Sequence, residues 1–219
     1  MTIEDPVEYQ LHGITQTQVN PDIGLTFASG LRSLLRQSPD IILVGEIRDG
    51  ETADIAVKAA LTGHLVFSTL HTNNAAGAVT RLVDMGVEPF LIASSLIVAT
   101  AQRLMRRICP HCKEQADISK EILKALPKEL NWIQETKAYR GEGCNECKNT
   151  GYRGRLAVME VLPVDDEIQK MIIERKSSGE IDKVARKKGM VTLFEEAVEV
   201  FKNGHTTLEE VLRVTSYLE

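Results

Sequence analysis

Between Asp40 and Thr72 the chain reads DIILVGEIRDGETADIAVKAALTGHLVFSTLHT, and this stretch limits the possible folds more than any other. A four-residue apolar run, Ile41–Val44, ends in Gly45-Glu46. A second run, Leu65-Val66-Phe67, ends in Ser68-Thr69-Leu70-His71. Each run is short, apolar and followed by helical spacing, which reads as a buried parallel strand feeding a helix. Upstream, Thr2-Ile3-Glu4-Asp5-Pro6-Val7-Glu8 has the same form, a strand stub running into acidic residues. In parallel sheets ligands sit beyond the carboxyl ends of the strands, where Glu46, Arg48 and His71 would project. Three strand ends delivering carboxylates, an arginine and histidines to one edge point to a polyphosphate site.

Helix signals follow the strands. Gly50-Glu51-Thr52 opens a helix through Leu61, and Asn73 or Asn74 can cap a second, Ala75–Met85, stopped by Gly86. Pro89 suits the first position of a third helix that runs to about Arg107. Its widely spread apolar residues predict a largely buried surface, and Arg103, Arg106 and Arg107 complement the dipole at its end. A short helix is expected near Ser119–Leu126 and a strand at Leu156–Leu162. Four helices then follow, at Glu167–Arg175, Glu180–Lys188, Leu193–Asn203 and Leu208–Tyr217, the last opened by a Thr206/Glu209 capping box. Alternating strands and helices give an α/β layered core.

The four cysteines fall in two pairs, Cys109-Pro110-His111-Cys112 and Cys144-Asn145-Glu146-Cys147. A double C-x-x-C in a chain without secretory signals reads as a tetrahedral zinc site, Cys109, Cys112, Cys144 and Cys147 each offering a thiolate. Gly141, Gly143 and Gly151 permit the turns of such knuckles. Redox pairs or unligated thiols are the competing reading, and His111 could replace a cysteine as ligand. The chain accordingly divides into a partial core over 1–107, a tetracysteine module over 108–154 and a mostly helical part over 155–219.

A formal net charge of −5 supplies no overall basic field for nucleic acid, and no apolar stretch approaches the roughly 20 residues that span a bilayer. A cytoplasmic protein is expected, with any membrane association made through a partner.

EDPVE at Glu4–Glu8, LRQSPDIILVGEIRD at Leu35–Asp49 and TGHLVFSTLHTN at Thr62–Asn73 resemble the Asp box, Walker B and His box of the secretion ATPases. That family serves type II secretion and type IV pilus assembly. The resemblance implies a RecA-like P-loop NTPase core with ATP, Mg2+ and, through the tetracysteine module, Zn2+. It also implies a hexameric ring and an inner-membrane platform protein as partner. The zinc pairs favour secretion or pilus assembly over retraction. No Gly-Lys dipeptide occurs, so the phosphate loop G-x-x-x-x-G-K-[ST] is missing; the chain is expected to be the carboxyl-terminal part of a longer ATPase.

The resemblance also assigns roles. Glu4 is the candidate to orient or deprotonate the attacking water, with Asp5 beside it, and Glu46 acts on magnesium through its water shell. Gly45 stands where a generic Walker B has an aspartate. His71 is placed as a γ-phosphate sensor; Asp5 and His64 are candidate nucleotide-binding residues, and His64, before the strand, could instead couple adjacent elements. Arg48 contacts phosphate or pins the Walker B loop. Arg32 and Arg36 share one helix face, either solvated or at a subunit boundary. A second function remains open: a non-catalytic, zinc-bearing module that docks to a membrane complex.

Overall fold

The computed structural model describes residues 1–119, 122, 133 and 135–215. The chain folds as two compact units, Met1–Ala99 with Leu162–Lys188, and Thr100–Val161 with Gly189–Glu219.

In the first unit β1 (Thr2–Glu4), β2 (Gln16–Gln18), β3 (Ile41–Val44) and β4 (Leu65–Ser68) form one sheet in the order β2-β1-β3-β4. Every neighbouring pair is parallel, with Ile3 beside Val44 and Val44 beside Ser68. The expected strand–helix–strand order holds: α1 (Phe27–Leu35) precedes β3 and α2 (Gly50–Leu61) joins β3 to β4. The first three helices start where a side chain accepts from an early free N–H group. Asp49 accepts from the Thr52 N–H at 2.8 Å and starts α2. Asn74, at 2.8 Å from the Gly77 N–H, starts α3 (Ala75–Asp84).

One expectation for the strands changes. Ile3, Ile42 and Val44 are fully buried, but Ile41 and Phe67 are 52% and 53% exposed. α1 and α2 cover a single face, so the Ile41/Phe67 face stays open among the described residues, whereas parallel strands are commonly covered on both.

α4 (Pro89–Ser95) packs on α2 and on α5 (Asp166–Ile173), while α3 packs on α4 and on α6 (Ser178–Lys187). The helix expected from Pro89 to about Arg107 is therefore corrected: it stops at Ser95, and Val98–Ile108 is a strand, β5. Ile97, Val98 and Thr100 are β-branched and favour extended backbone. Burial alternates accordingly, with Ala99, Ala101 and Met105 inside and Val98, Thr100, Gln102 and Leu104 facing out. Arg103, Arg106 and Arg107 consequently serve no helix dipole.

β5 pairs with a long strand, β8 (Tyr152–Pro163). The Val164 N–H donates to the Ile97 carbonyl at one end and the Cys109 N–H to the Gly151 carbonyl at the other, so the two run antiparallel. In the second unit β6 (Lys113–Ala116) and β7 (Ala138–Gly141) form an antiparallel pair, and α7 (Leu193–Lys202) packs on α8 (Leu208–Thr215). The helix expected near Ser119–Leu126 lies, apart from Ser119 and Ile122, outside the described residues, as do residues 216 and 217 of the last expected helix.

The cap of α8 is also corrected. Thr206 is fully buried and its Oγ1 donates to the Arg106 carbonyl at 2.8 Å. Thr207 takes the cap one residue later, accepting from the Glu210 N–H at 3.3 Å. Glu210 in turn has 0% side-chain exposure and takes the Arg106 N–H at 2.8 Å and guanidinium hydrogen bonds from Arg106 and Arg213, both at 2.9 Å. Among the described residues no helix is long and apolar enough to cross a membrane.

Two glycines of the first unit make opposite predictions. A Cβ on Gly50 would lie 2.3 Å from the Met85 carbonyl oxygen, a backbone atom, so Gly50→Ala should destabilise by about 1–3 kcal/mol. Gly179, within α6, has nothing within 4 Å, so Gly179→Ala should stabilise by about 0.5–1 kcal/mol. Urea unfolding midpoints of the two variants check both signs.

Candidate active site and tetracysteine centre

The shared level at which β1, β3 and β4 end sets the geometry of the candidate site. The Gly45 N–H donates to the Ile3 carbonyl at 2.7 Å and the Ile47 N–H to the Thr69 carbonyl at 3.0 Å, extending the ladder past the strands. The Thr69 hydroxyl closes the same corner on the Gly45 carbonyl at 2.7 Å. A Cβ at Gly45 would lie 3.2 Å from the Ile3 carbonyl oxygen and 3.3 Å from Glu4 Cα. Glycine is therefore the residue that this close approach of β1 accommodates without a shift.

Beyond the ladder, four predicted residues form one chain of polar contacts. Glu46 is paired with Arg48 through Oε1 and with the His71 ring Nε2 through Oε2 at 3.1 Å. Arg48 also lies 3.6 Å from Asp5 Oδ2. Glu46 is only 14% exposed, whereas His71 is 87% exposed, so the carboxylate sits behind a ring that faces solvent. The Arg48 guanidinium, against the upward push of burial and with help from His71, holds the Glu46 carboxyl below the usual carboxylate range. Glu46 raises Arg48 in return.

Glu4 ends β1 next to Asp5. Its Oε1 accepts from the Thr2 hydroxyl at 2.6 Å and from Gln16 Nε2 at 3.0 Å. Neither donor carries a motif signal; only the alternation Gln16-Thr17-Gln18 hints that two glutamines share a face. His64 is not brought to this edge. It stands at the start of β4, with Nδ1 at 3.0 Å from the Ala59 carbonyl, so β4 separates it from His71. Arg32 donates to Glu51 of α2 at 2.8 Å.

In the second unit the four cysteines converge as the spacing predicts. The Sγ atoms of Cys109, Cys112, Cys144 and Cys147 all lie within 4.8 Å of one another. Individual separations are 3.8 Å for Cys109–Cys144, 3.9 Å for Cys112–Cys147 and 3.7 Å for Cys144–Cys147. Sulfurs 2.3 Å from a tetrahedral zinc lie about 3.8 Å apart, so these separations fit the edges of that tetrahedron. They are far from the S–S bond of about 2.05 Å, and all four cysteines are free. Backbone N–H groups point at the sulfurs: Gly143 at Cys112 from 3.3 Å, Cys144 at Cys147 from 3.2 Å and Gly151 at Cys147 from 3.3 Å. Burial would raise Cys147, but the N–H groups of Cys144 and Gly151 bring it down to about 6. Burial dominates at Cys112 and pushes it up to about 12. The close packing depends on glycine: a Cβ on Gly141 would lie 2.1 Å from the Gly151 carbonyl oxygen.

Residues 1–213 match the family described as Type II/IV secretion system protein. The chain is 58% identical to the type IV pilus assembly ATPase PilB of Thermus thermophilus over 98% of its own length and 24% of that protein. It is 50% identical to the type II secretion system ATPase E of Vibrio cholerae, over 98% of itself and 42% of that protein. The chain thus spans well under half the length of these curated relatives. Among solved structures, that of the pilus retraction motor PilT with bound ADP matches with a TM-score of 0.68 at 29% identity, covering 97% of this chain and 51% of the other. The fold is that of these ATPases.

The pairing at Glu46 makes a measurable claim. Its lowered pKa means that the pair stabilises the fold above the unfolded glutamate value and is lost as pH falls through the lower folded value. Arg48→Ala should raise the Glu46 titration midpoint, because burial is then opposed only by His71, read from the 13Cδ titration of Glu46 by NMR. An unchanged titration would show that Arg48 does not hold the carboxylate.

Proposed function

Because the chain belongs to the type II/IV secretion system protein family, we propose that it supplies the water-activating edge of an ATPase that drives type II secretion or type IV pilus assembly. The observation that carries the reading is the chain Asp5–Arg48–Glu46–His71 beside Glu4, where β1, β3 and β4 end. Hydrolysis of a γ-phosphate needs a bound metal, a water held in line and positive charge on the phosphoryl oxygens. Glu4 takes the water, Glu46 faces the water shell of Mg2+, Arg48 releases Glu46 to meet phosphate, and exposed His71 reports the γ-phosphate. Bound Mg2+ would neutralise charge developing between the β- and γ-phosphates of ATP.

The functional division follows the segments 1–107, 108–154 and 155–219, with ring assembly as a hexamer in the cytoplasm against an inner-membrane platform protein. His64 couples α2 to β4 rather than touching nucleotide. Zn2+ held by Cys109, Cys112, Cys144 and Cys147 is structural, since four thiolates leave no open position for a substrate water. The second reading, a docking module without chemistry, is favoured by one fact: the 219 residues hold no Gly-Lys, so the lysine of a phosphate loop is not among them.

Two measurements separate these readings. The 219-residue chain alone should hydrolyse ATP negligibly, but joined to the phosphate-loop segment of the Thermus relative it should show magnesium-dependent turnover. In that fusion Glu4→Gln and Glu46→Gln should each lower kcat about 100-fold or more while nucleotide still binds. A fusion that binds ATP without turning it over would favour the docking module. Metal analysis should find one zinc per chain, and chelation should speed amide exchange across 108–119 and 138–154. A zinc content near zero would remove the metal from the account.

A further inference from the structure

The Gln16 side chain is placed to do more than complete β2. Its amide makes three hydrogen bonds. Nε2 donates to Glu4 Oε1 and to the Tyr9 carbonyl, both at 3.0 Å, and Oε1 accepts the Leu11 N–H at 2.7 Å. The backbone groups dictate which way the amide points: an N–H at Leu11 requires the oxygen and a carbonyl at Tyr9 requires the nitrogen. The second N–H of Nε2 therefore has to face Glu4. Parallel pairing sets Thr2 opposite Gln16, so Thr2, Glu4 and Gln16 meet on one face of the sheet. The Thr2 hydroxyl, in a residue 5% exposed, donates to the same Oε1. Among the described residues, both hydrogen bonds to the Glu4 carboxylate end on Oε1. Oε2 accepts no hydrogen bond among the described residues.

We propose that Gln16 is a positioning residue for hydrolysis: with Thr2 it locks the Glu4 carboxylate through Oε1 so that Oε2 meets the attacking water. The amide simultaneously ties that carboxylate to the segment between β1 and β2, at Tyr9 and Leu11. Water attack needs an acceptor oxygen at hydrogen-bond distance and fixed orientation. A glutamate at a strand end with three free side-chain torsions has neither unless it is held. Gln18, paired beside Glu4 in the register, accepts the Val7 N–H at 3.3 Å and holds the same segment with no hydrogen bond to the Glu4 carboxylate among the described residues, which makes it a matched control.

The inference rests on the proposed role of Glu4 and is tested in the fusion that carries the phosphate loop. Gln16→Met, close in size but unable to donate, should lower kcat about tenfold with KM for ATP changed less than about twofold. Gln16→Glu keeps an acceptor for Leu11 and loses both donors, and should lower kcat at least as much. Gln18→Met should leave kcat near the parent value. The deciding arm is the double variant: Gln16→Met added to Glu4→Gln should slow turnover no further, since positioning has no value once the carboxylate is gone. Losses that multiply in the double variant, or a Gln16→Met enzyme with parental kcat while Glu4→Gln is crippled, would overturn the positioning role alone. A Glu4→Gln enzyme with normal turnover would overturn the catalytic reading of Glu4 and this inference with it.

Discussion

The close approach of Gly45 to β1 is the constraint on which the candidate edge depends. The Gly45 N–H reaches the Ile3 carbonyl at 2.7 Å, and there is less than ordinary room for a Cβ beside Ile3 and Glu4. With the β1 and β3 backbones this near, the chain after Val44 turns out at the level of Glu4 and Asp5. Arg48 then spans from Glu46 to Asp5, and His71, one loop away after β4, closes on the other oxygen of Glu46. A side chain at position 45 would press on the β1 backbone, which would have to give by a few tenths of an ångström.

A different tie organises the second unit. Glu210 is withdrawn from solvent and shared by Arg106 on β5 and Arg213 on α8. Burial pushes its carboxyl up, but the two guanidiniums and the Arg106 N–H outweigh it and hold it at about 2. Its contribution is therefore complete above the ordinary value of 4.5 and fades only as pH falls toward 2. Both arginines remain half exposed, so water still solvates them and losing Glu210 should cost about 1–3 kcal/mol rather than the more typical of a fully buried pair. Nearby, the Ile108 N–H donates to the His205 carbonyl immediately before Cys109, and a Cβ on Gly204 would lie 2.7 Å from the Tyr139 ring of β7. The tetracysteine strands and the last two helices are thereby parts of one body.

Much of this was legible in the residues. Ile41–Val44 and Leu65–Phe67 are strands because apolar runs that short, ending in Gly-Glu and Ser-Thr, have few other solutions, and the paired C-x-x-C spacing brings four thiols together as expected. The failures share a cause: partners distant in sequence decide. Val98–Ile108 carries the broad apolar spread of a buried helix, yet β8, some fifty residues later, supplies a ladder that its β-branched residues prefer. Thr206 reads as a cap until Arg106 claims its hydroxyl. Gln16 gave only the hint of its alternation with Gln18, because the role proposed for it depends on Thr2 and Glu4 across a parallel pair. His64 shares a motif with His71, but a strand's length places the two at opposite ends.

The central claim is that nucleotide is hydrolysed where β1, β3 and β4 end. A crystal structure of the phosphate-loop fusion with Mg2+ and a non-hydrolysable ATP analogue tests it most directly. The account predicts the γ-phosphate at this edge, with Glu4 Oε2 within hydrogen-bond reach of an in-line water and Glu46 facing the metal's water shell. A γ-phosphate bound at the His64 end of β4, or one out of reach of both Glu4 and Glu46, would contradict it.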